Sequence, residues 1–379
     1  MIKVLFMIPN LGHGGAEKVL VNLVNHMDKK QFDVTVMTLY DEGVNKNFLS
    51  KDVKYKTCFP KSFKGVSKFL KLSTPEKLYH KFIEDDYDIV VSYLEGQTAR
   101  IVSGCQNPDT KLVSWIHVEQ HTQKNAARTF RSISEMKRCY LKFDRTICVS
   151  EYVKNDFHAI VPVKNIIVLY NTIESEKIHK LSKEKVEIGL FDSKEIKMCG
   201  IGTLKKSKGF DRLLKVHKKL YDQGYPVHTY ILGEGEEKDN LEQFVVNNDL
   251  DGSVTFLGYQ TNPYKYLKRM NLFVCTSFAE GFSTAATEAL IVGTPVCTVE
   301  VSGMKEMLGE NNEYGVVTEN NNEAFYSAVK ELLDHPELLS YYRIQAEKRG
   351  KEFDTDSTVK AVENMFKKLI MTKEVLHKE

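Results

Sequence analysis

Short apolar runs alternate along the chain with longer stretches in which apolar residues recur every three or four positions. The first-half runs are Lys3–Ile8, Asp33–Thr38, Asp88–Ser92, Lys111–Trp115, Arg145–Val149 and Ile166–Leu169, with helical patterns such as Ala16–Met27 and Ser134–Phe143 between them. Val- and Ile-rich runs of strand length, alternating with helices, predict βαβ units and a parallel sheet. From about Ile173 to Lys194 the chain turns polar, rich in lysine and glutamate, as suits a connection. The alternation then restarts with Lys197–Ile201, a helix over Phe210–Asp222, His228–Leu232, Glu237–Val246, Val254–Leu257, Tyr264–Arg269, Leu272–Cys275, Thr284–Val292 and Pro295–Val299. Helical stretches over Asn322–Leu333, Pro336–Gly350 and Ser357–Lys373 follow. The expected class is therefore α/β, with a doubly wound domain over 1–172, a connection over 173–194, and a second such domain over 195–353. A final helix over 354–379 is expected to pack back on the first domain. Two open α/β domains place a ligand in the cleft between them, at the carboxyl ends of the strands.

Composition narrows the picture. The 379 residues are 42% hydrophobic and 27% charged, and the net charge is only +2, so the overall balance does not select nucleic acid. Seven scattered cysteines form no Cys-x-x-Cys pair, which suits a reducing cytosol and argues against a disulfide framework or a structural zinc. The apolar start, Met1 to Pro9, has no small-residue cleavage site and reads as a buried strand, not a signal peptide. No run reaches the roughly 18 apolar residues of a membrane-spanning helix. The expected location is cytoplasmic, with peripheral contact on the inner face of the membrane.

Three stretches carry candidate chemistry. Gly12-His13-Gly14-Gly15-Ala16-Glu17 lies between the first strand and a helix. It is either a seat where backbone amides meet an anion or a plain tight turn, and its spacing is not the dinucleotide G-x-G-x-x-G. Gly202-Thr203-Leu204-Lys205-Lys206-Ser207-Lys208-Gly209 repeats that placement in the second domain. There Lys205 and Lys206 read as solvated, and Lys208 as a phosphate contact. In Glu280-Gly281-Phe282-Ser283-Thr284-Ala285-Ala286-Thr287-Glu288 two carboxylates stand eight positions apart, one on a loop and one in the next helix. The amides of Phe282, Ser283 and Thr284 would open that helix as a second phosphate seat, and the carboxylates suit vicinal hydroxyls of sugar and ribose. Taken singly, Glu288 could be a solvent-facing helix residue and Glu280 an N-terminal helix charge.

Together with these stretches, Trp115-Ile116-His117, Val149-Ser150-Glu151-Tyr152-Val153, Tyr170-Asn171-Thr172-Ile173, Gly233-Glu234-Gly235, Phe256-Leu257-Gly258 and Glu288-Ala289-Leu290 follow one another in an order and spacing that resembles glycosyltransferase family four. The resemblance runs nearly the whole length. It implies the GT-B fold, two Rossmann-like domains with an interdomain active-site cleft, and retaining transfer from a nucleotide sugar. It implies that Lys208 binds the donor diphosphate, Glu280 the donor-sugar hydroxyls, Glu288 the ribose, and that His117 lies near the donor sugar. Asn171, Thr203 and Gly233 join the donor contacts. Gly15 lies near phosphates and acceptor, with Gly14 and Glu17 on the acceptor side. One departure stands out: the family usually has arginine after the glycine of the phosphate loop, and here it is Thr203.

His117-Val-Glu119-Gln-His121 invites a zinc reading, but it is not H-E-x-x-H and His117 ends a strand. Asp86-Tyr-Asp88, Asp249-Leu-Asp251 and Asp354-Thr-Asp356 read as turn acidity. No metal and no cofactor is expected, since the nucleotide sugar is itself a substrate. Lys61, Phe63, Lys64, Lys68, Phe69, Leu70 and Lys71 interleave charge with apolar surface, and a second basic run holds Arg128, Arg131, Lys137, Arg138 and Lys142. Both are either solvated helix faces or a docking surface for anionic lipid. The expected activity moves a hexose or N-acetylhexosamine from a UDP-sugar to a sugar hydroxyl of a lipid-linked or other glycan acceptor. A two-domain sugar-nucleotide epimerase, which needs no acceptor, and a carbohydrate- or nucleotide-binding protein without turnover are the alternatives.

Overall fold

The computed structural model describes residues 1–62, 65–186 and 195–376. They fall into two compact units, Met1–Thr172 with the chain from Asp356 onward, and Ile173–Thr355.

The first unit is built on seven strands: β1 (Ile2–Ile8), β2 (Phe32–Tyr40), β3 (Lys54–Phe59), β4 (Ile89–Ser92), β5 (Lys111–Ile116), β6 (Arg145–Cys148) and β7 (Ile166–Val168). Their order is β3-β2-β1-β4-β5-β6-β7, and every pairing is parallel. Helices cover the central strands on both faces, so β1 is buried without interruption from Val4 to Ile8 and its sequence does not alternate. β3 differs. It is an edge strand whose Lys-Tyr-Lys-Thr pattern stays largely in solvent, so it carries no apolar run and the sequence pattern did not predict it.

The last helix, Thr355–Leu376, completes this unit. Val359, Val362, Phe366 and Leu369 form its buried stripe, and the Phe366 ring lies 5.9 Å from Phe6 and 6.3 Å from Phe32. Glu363 accepts the Asp28 amide at 2.6 Å beside them.

The second unit has six strands: β8 (Ile196–Ile201), β9 (Val227–Leu232), β10 (Val254–Gly258), β11 (Leu272–Cys275), β12 (Val296–Val299) and β13 (Val316–Thr318). The order is β10-β9-β8-β11-β12-β13, again parallel throughout. The stretch read as a polar connection contains the helix Ser175–Ser182, which packs on the helices Tyr264–Leu267 and Thr284–Val292 of this unit. Residues 187–194 lie outside the described residues. Thr355 Oγ1 donates to the Ile173 carbonyl at 2.8 Å and receives the Ser175 amide at 3.1 Å. The two points where the chain leaves this unit are thus held side by side.

In each sheet the strand order reverses once, between β1 and β4 and between β8 and β11. A parallel α/β sheet opens a crevice at such a point, beyond the carboxyl ends of the strands, because successive crossovers leave toward opposite faces.

Candidate functional site

In the second unit the loops after β8 and β11 meet at the reversal. Gly209 has φ +65°, and a Cβ there would stand 2.1 Å from the Thr276 carbonyl oxygen. Only glycine permits that approach. Thr276 Oγ1 donates to the Gly209 carbonyl at 2.8 Å, and the Phe278 amide donates to the Ser207 carbonyl at 2.8 Å. Locked in this way, the loops bring Lys208 Nζ to 2.6 Å from Glu280 Oε1, and Ser277 Oγ donates to the same oxygen at 2.7 Å. The Lys208 side chain is 26% exposed and that of Glu280 12%. Burial opposes the charge on Lys208, but attraction and hydrogen bonding from Glu280 outweigh it and raise its pKa above the usual lysine value.

The other residues of this set take distinct places. Ser283 caps the helix Thr284–Val292, its hydroxyl accepting the Ala286 amide at 3.3 Å, and Phe282 packs against Phe353. Glu288 is not a solvent-facing helix carboxylate: it is 3% exposed and accepts the Tyr264 hydroxyl at 3.3 Å. Gly233, after β9, has φ +143° and leaves no room for a Cβ against the Gly202 carbonyl, so this loop too presses on the phosphate-type loop. Thr203, Lys205 and Lys206 are exposed.

In the first unit Gly14 caps the helix Gly15–His26 through backbone alone, Gly15 is exposed, and the Glu17 carboxylate folds back toward Gly14. His117 lies just after β5. Its ring is buried, 4.8 Å from Tyr93 and 6.2 Å from Trp115, and its Nε2 has no hydrogen-bond partner among the described residues. Burial lowers its pKa to about 3, so the imidazole is neutral. Asn171 is buried near the end of the unit, where Asn22 Nδ2 donates to the Thr172 carbonyl at 3.1 Å. Sequence reasoning missed Glu95. It follows β4, accepts the His117 amide at 3.2 Å, and burial pushes its carboxyl up to about 7. The legible signal was a Glu-Gly pair just beyond a strand at the sheet reversal.

His117 and His121 do not converge, because His117 is buried while His121 is exposed and lies 3.8 Å from Asp156. Glu119, His121 and Asp156 bring ligand-type atoms within 4.8 Å. The Asp156 oxygens, however, already accept the Gln120 and His121 amides at 2.6 and 3.0 Å, which makes the group a loop clasp. Asp88 likewise has a structural task, accepting the Lys3 amide at 2.8 Å.

On the proposed lipid-facing side, Lys61 and Lys68 are exposed and Phe69 is 45% exposed, whereas Phe63 and Lys64 lie outside the described residues. Leu70 requires a correction. It is 4% exposed, so its side chain belongs to the core, and its carbonyl accepts Arg100 Nη1 at 2.9 Å. The exposed apolar residues of the helix Val66–Leu72 include, besides Phe69, Leu72 at 79%. Lys71 Nζ donates to the Arg128 carbonyl at 2.7 Å, and Arg131 donates to the Lys71 and Leu72 carbonyls at 2.6 and 2.8 Å. The two basic stretches therefore adjoin at Lys71–Leu72 and Arg128–Arg131.

The model for glycosyl transferases group 1 matches residues 182–349, and that for Glycosyltransferase Family 4 matches residues 13–177. The chain belongs to glycosyltransferase family four. A Campylobacter jejuni relative, N-acetylgalactosamine-N,N'-diacetylbacillosaminyl-diphospho-undecaprenol 4-alpha-N-acetylgalactosaminyltransferase, is 26% identical and covers 93% of this chain and 96% of its own. The amylovoran biosynthesis glycosyltransferase AmsD of Erwinia amylovora is 23% identical over 95% of this chain and 98% of its own. The Anabaena HepE structure in complex with UDP matches with TM-score 0.76 and 17% identity, covering 97% of this chain and 100% of that one. The fold of this glycosyltransferase is GT-B. Its group 1 segment contains Thr203, Lys208, Gly233, Glu280 and Glu288, and its family four segment contains Gly14, Gly15, Glu17, His117 and Asn171.

Proposed function

We propose that this glycosyltransferase moves a hexose or N-acetylhexosamine from a UDP-sugar to a sugar hydroxyl of a lipid-linked glycan acceptor, with retention and without a metal. The observation that carries the donor reading is the Lys208–Glu280 pair at the β8–β11 reversal. It joins an ammonium, suited to a diphosphate, to a carboxylate, suited to sugar hydroxyls, within one hydrogen bond. The leaving diphosphate is stabilised by Lys208 and by the amides that open the helix Thr284–Val292, which replaces a metal's charge. The neutral His117 Nε2, without a hydrogen-bond partner among the described residues, suits a donor-sugar hydroxyl. UDP is the ligand of the HepE structure, and the Campylobacter relative's name specifies a diphospho-undecaprenol substrate. A lipid-linked acceptor would be met from the surface that carries Lys68, Leu72, Arg128 and Arg131. No helix among the described residues is long and apolar enough to cross a membrane.

The deciding experiment incubates the purified protein with a panel of UDP-sugars and undecaprenyl-diphosphate-linked sugar in EDTA, and assigns the product's anomeric configuration by NMR. An acceptor-dependent product with the donor's configuration is expected. Conversion of donor to an epimer without acceptor, inversion, or activity that returns only on adding magnesium or manganese would overturn the respective part.

A further inference from the structure

The loop that carries His117 is fastened by one carboxyl group. Glu95 Oε2 accepts the His117 amide at 3.2 Å, and Oε1 accepts Gln120 Nε2 at 3.3 Å. One donor from each end of the segment His117–Gln120 thus converges on one side chain. The far end of the loop is held separately, by the Asp156 carboxylate on the amides of Gln120 and His121. Glu95 is itself fixed: Gly96, next in sequence at φ +95°, donates its amide to the Tyr140 hydroxyl at 3.2 Å. At the end of this scaffold lies an imidazole whose Nε2 is buried and has no partner among the described residues. A buried polar nitrogen left in that state is costly unless a ligand completes it, and the direction in which it points then decides what it can bind.

We propose that Glu95 is a positioning residue, whose carboxylate sets the loop His117–Gln120 and thereby aims the His117 imidazole at its hydroxyl partner. The proposal rests on the role given to His117 above. Among the described residues, three titratable groups face Glu95 or its turn: His117 just after β5, Tyr140 on the helix Ile133–Tyr140, and Cys148 at the end of β6. Burial lowers the first and raises the other two, so all three stay neutral around pH 7. Glu95, pushed up to about 7 by burial, is the member that changes charge there. As a carboxylate it can accept both donors. Once protonated, one oxygen becomes a donor and can no longer serve its partner, so the loop loosens as pH falls through 7.

The test follows the His117 ring by NMR in histidine-labelled protein, assigned with a His117→Gln sample. In the wild type the ring signals should move with a midpoint near 7 while keeping the shifts of a neutral imidazole. In Glu95→Gln, which keeps the shape but cannot ionise, that movement should vanish, while the thermal midpoint at pH 4.5, where both side chains are neutral, matches the wild type. Glu95→Ala should lower kcat for UDP-sugar hydrolysis by about 100-fold through misplacement, with UDP affinity by calorimetry unchanged within about twofold. Three results would overturn the assignment: a pH-independent His117 signal in the wild type, a titration that persists in Glu95→Gln, or UDP affinity falling in parallel with kcat. A wild type that turns over no UDP-sugar would refute the proposed function, and the NMR titration would still decide the part played by Glu95.

Discussion

Lys208 and Glu280 hold each other before any donor arrives, and that makes their roles sequential. A diphosphate must draw the ammonium from the carboxylate, and a sugar hydroxyl can then take the place left on Glu280. Lys208→Ala should weaken UDP binding by about 1.5–3 kcal/mol, the range for a hydrogen bond to a charged group, read by calorimetry. Glu280→Gln should behave oppositely at this step. It frees the ammonium, so UDP should bind as well as in the wild type or better, while turnover falls. Equal losses of UDP affinity in both variants would show that the pair does not open. Glu95 makes a second prediction at this scale. Its folded pKa is raised above the unfolded value of about 4.3, so it contributes stability below that pH and loses it as pH rises toward 7. Glu95→Gln should flatten this decline, by on the order of 1–3 kcal/mol between pH 4.5 and 8. Urea unfolding at both pH values measures it, and equal slopes in the two proteins would exclude the coupling.

At the scale of elements, the helix Val66–Leu72 is too short to be stable alone, and its carbonyl end is held by others. Arg100 donates to the carbonyls of Leu70 and Ser73, and Arg131 to those of Lys71 and Leu72, while Arg100 itself is paired with buried Glu135 at 3.0 Å. This clamp turns Leu72 outward among basic residues. Leu72→Ser combined with Lys68→Gln should therefore reduce co-sedimentation with phosphatidylglycerol vesicles at low salt, each lysine near the surface being worth about 1 kcal/mol. Binding unaffected by these changes would move any membrane contact elsewhere. Such a clamp could not be read from the sequence, because Leu70 and Leu72 look alike there and a difference of two positions on a helix decides which is core. What was legible rested on periodicity: Phe210–Asp222, Leu272–Cys275, Thr284–Val292 and Pro336–Gly350 have the bounds that their apolar spacing gives. β3 and β13 were missed, since neither is a continuous buried run. The candidate site was legible where loops follow strands, at Lys208 and Glu280. Their mutual contact was not, because it depends on Gly209 letting two distant loops touch.

For the molecule as a whole, the first unit depends on residues from both ends of the described chain. Phe366 is fully buried against Phe6 and Phe32, so Phe366→Ala should cost about 3–5 kcal/mol, the range for losing a buried aromatic ring. Trp115, the single tryptophan, lies within β5 of that unit, so its fluorescence should report a lowered midpoint for the first unit specifically. An unchanged fluorescence midpoint would mean that the last helix is dispensable there. The same arrangement has a consequence during synthesis. The ribosome makes the seven-stranded sheet first, but the helix that covers Phe6 and Phe32 only after the whole second unit has been translated. At roughly 5–20 residues per second, about 10–40 s separate Thr172 from Asp356. Throughout that interval the nascent chain carries an uncovered aromatic patch while a second sheet is forming behind it. The protein should therefore need a holding chaperone early, and should release it only when the last helix emerges.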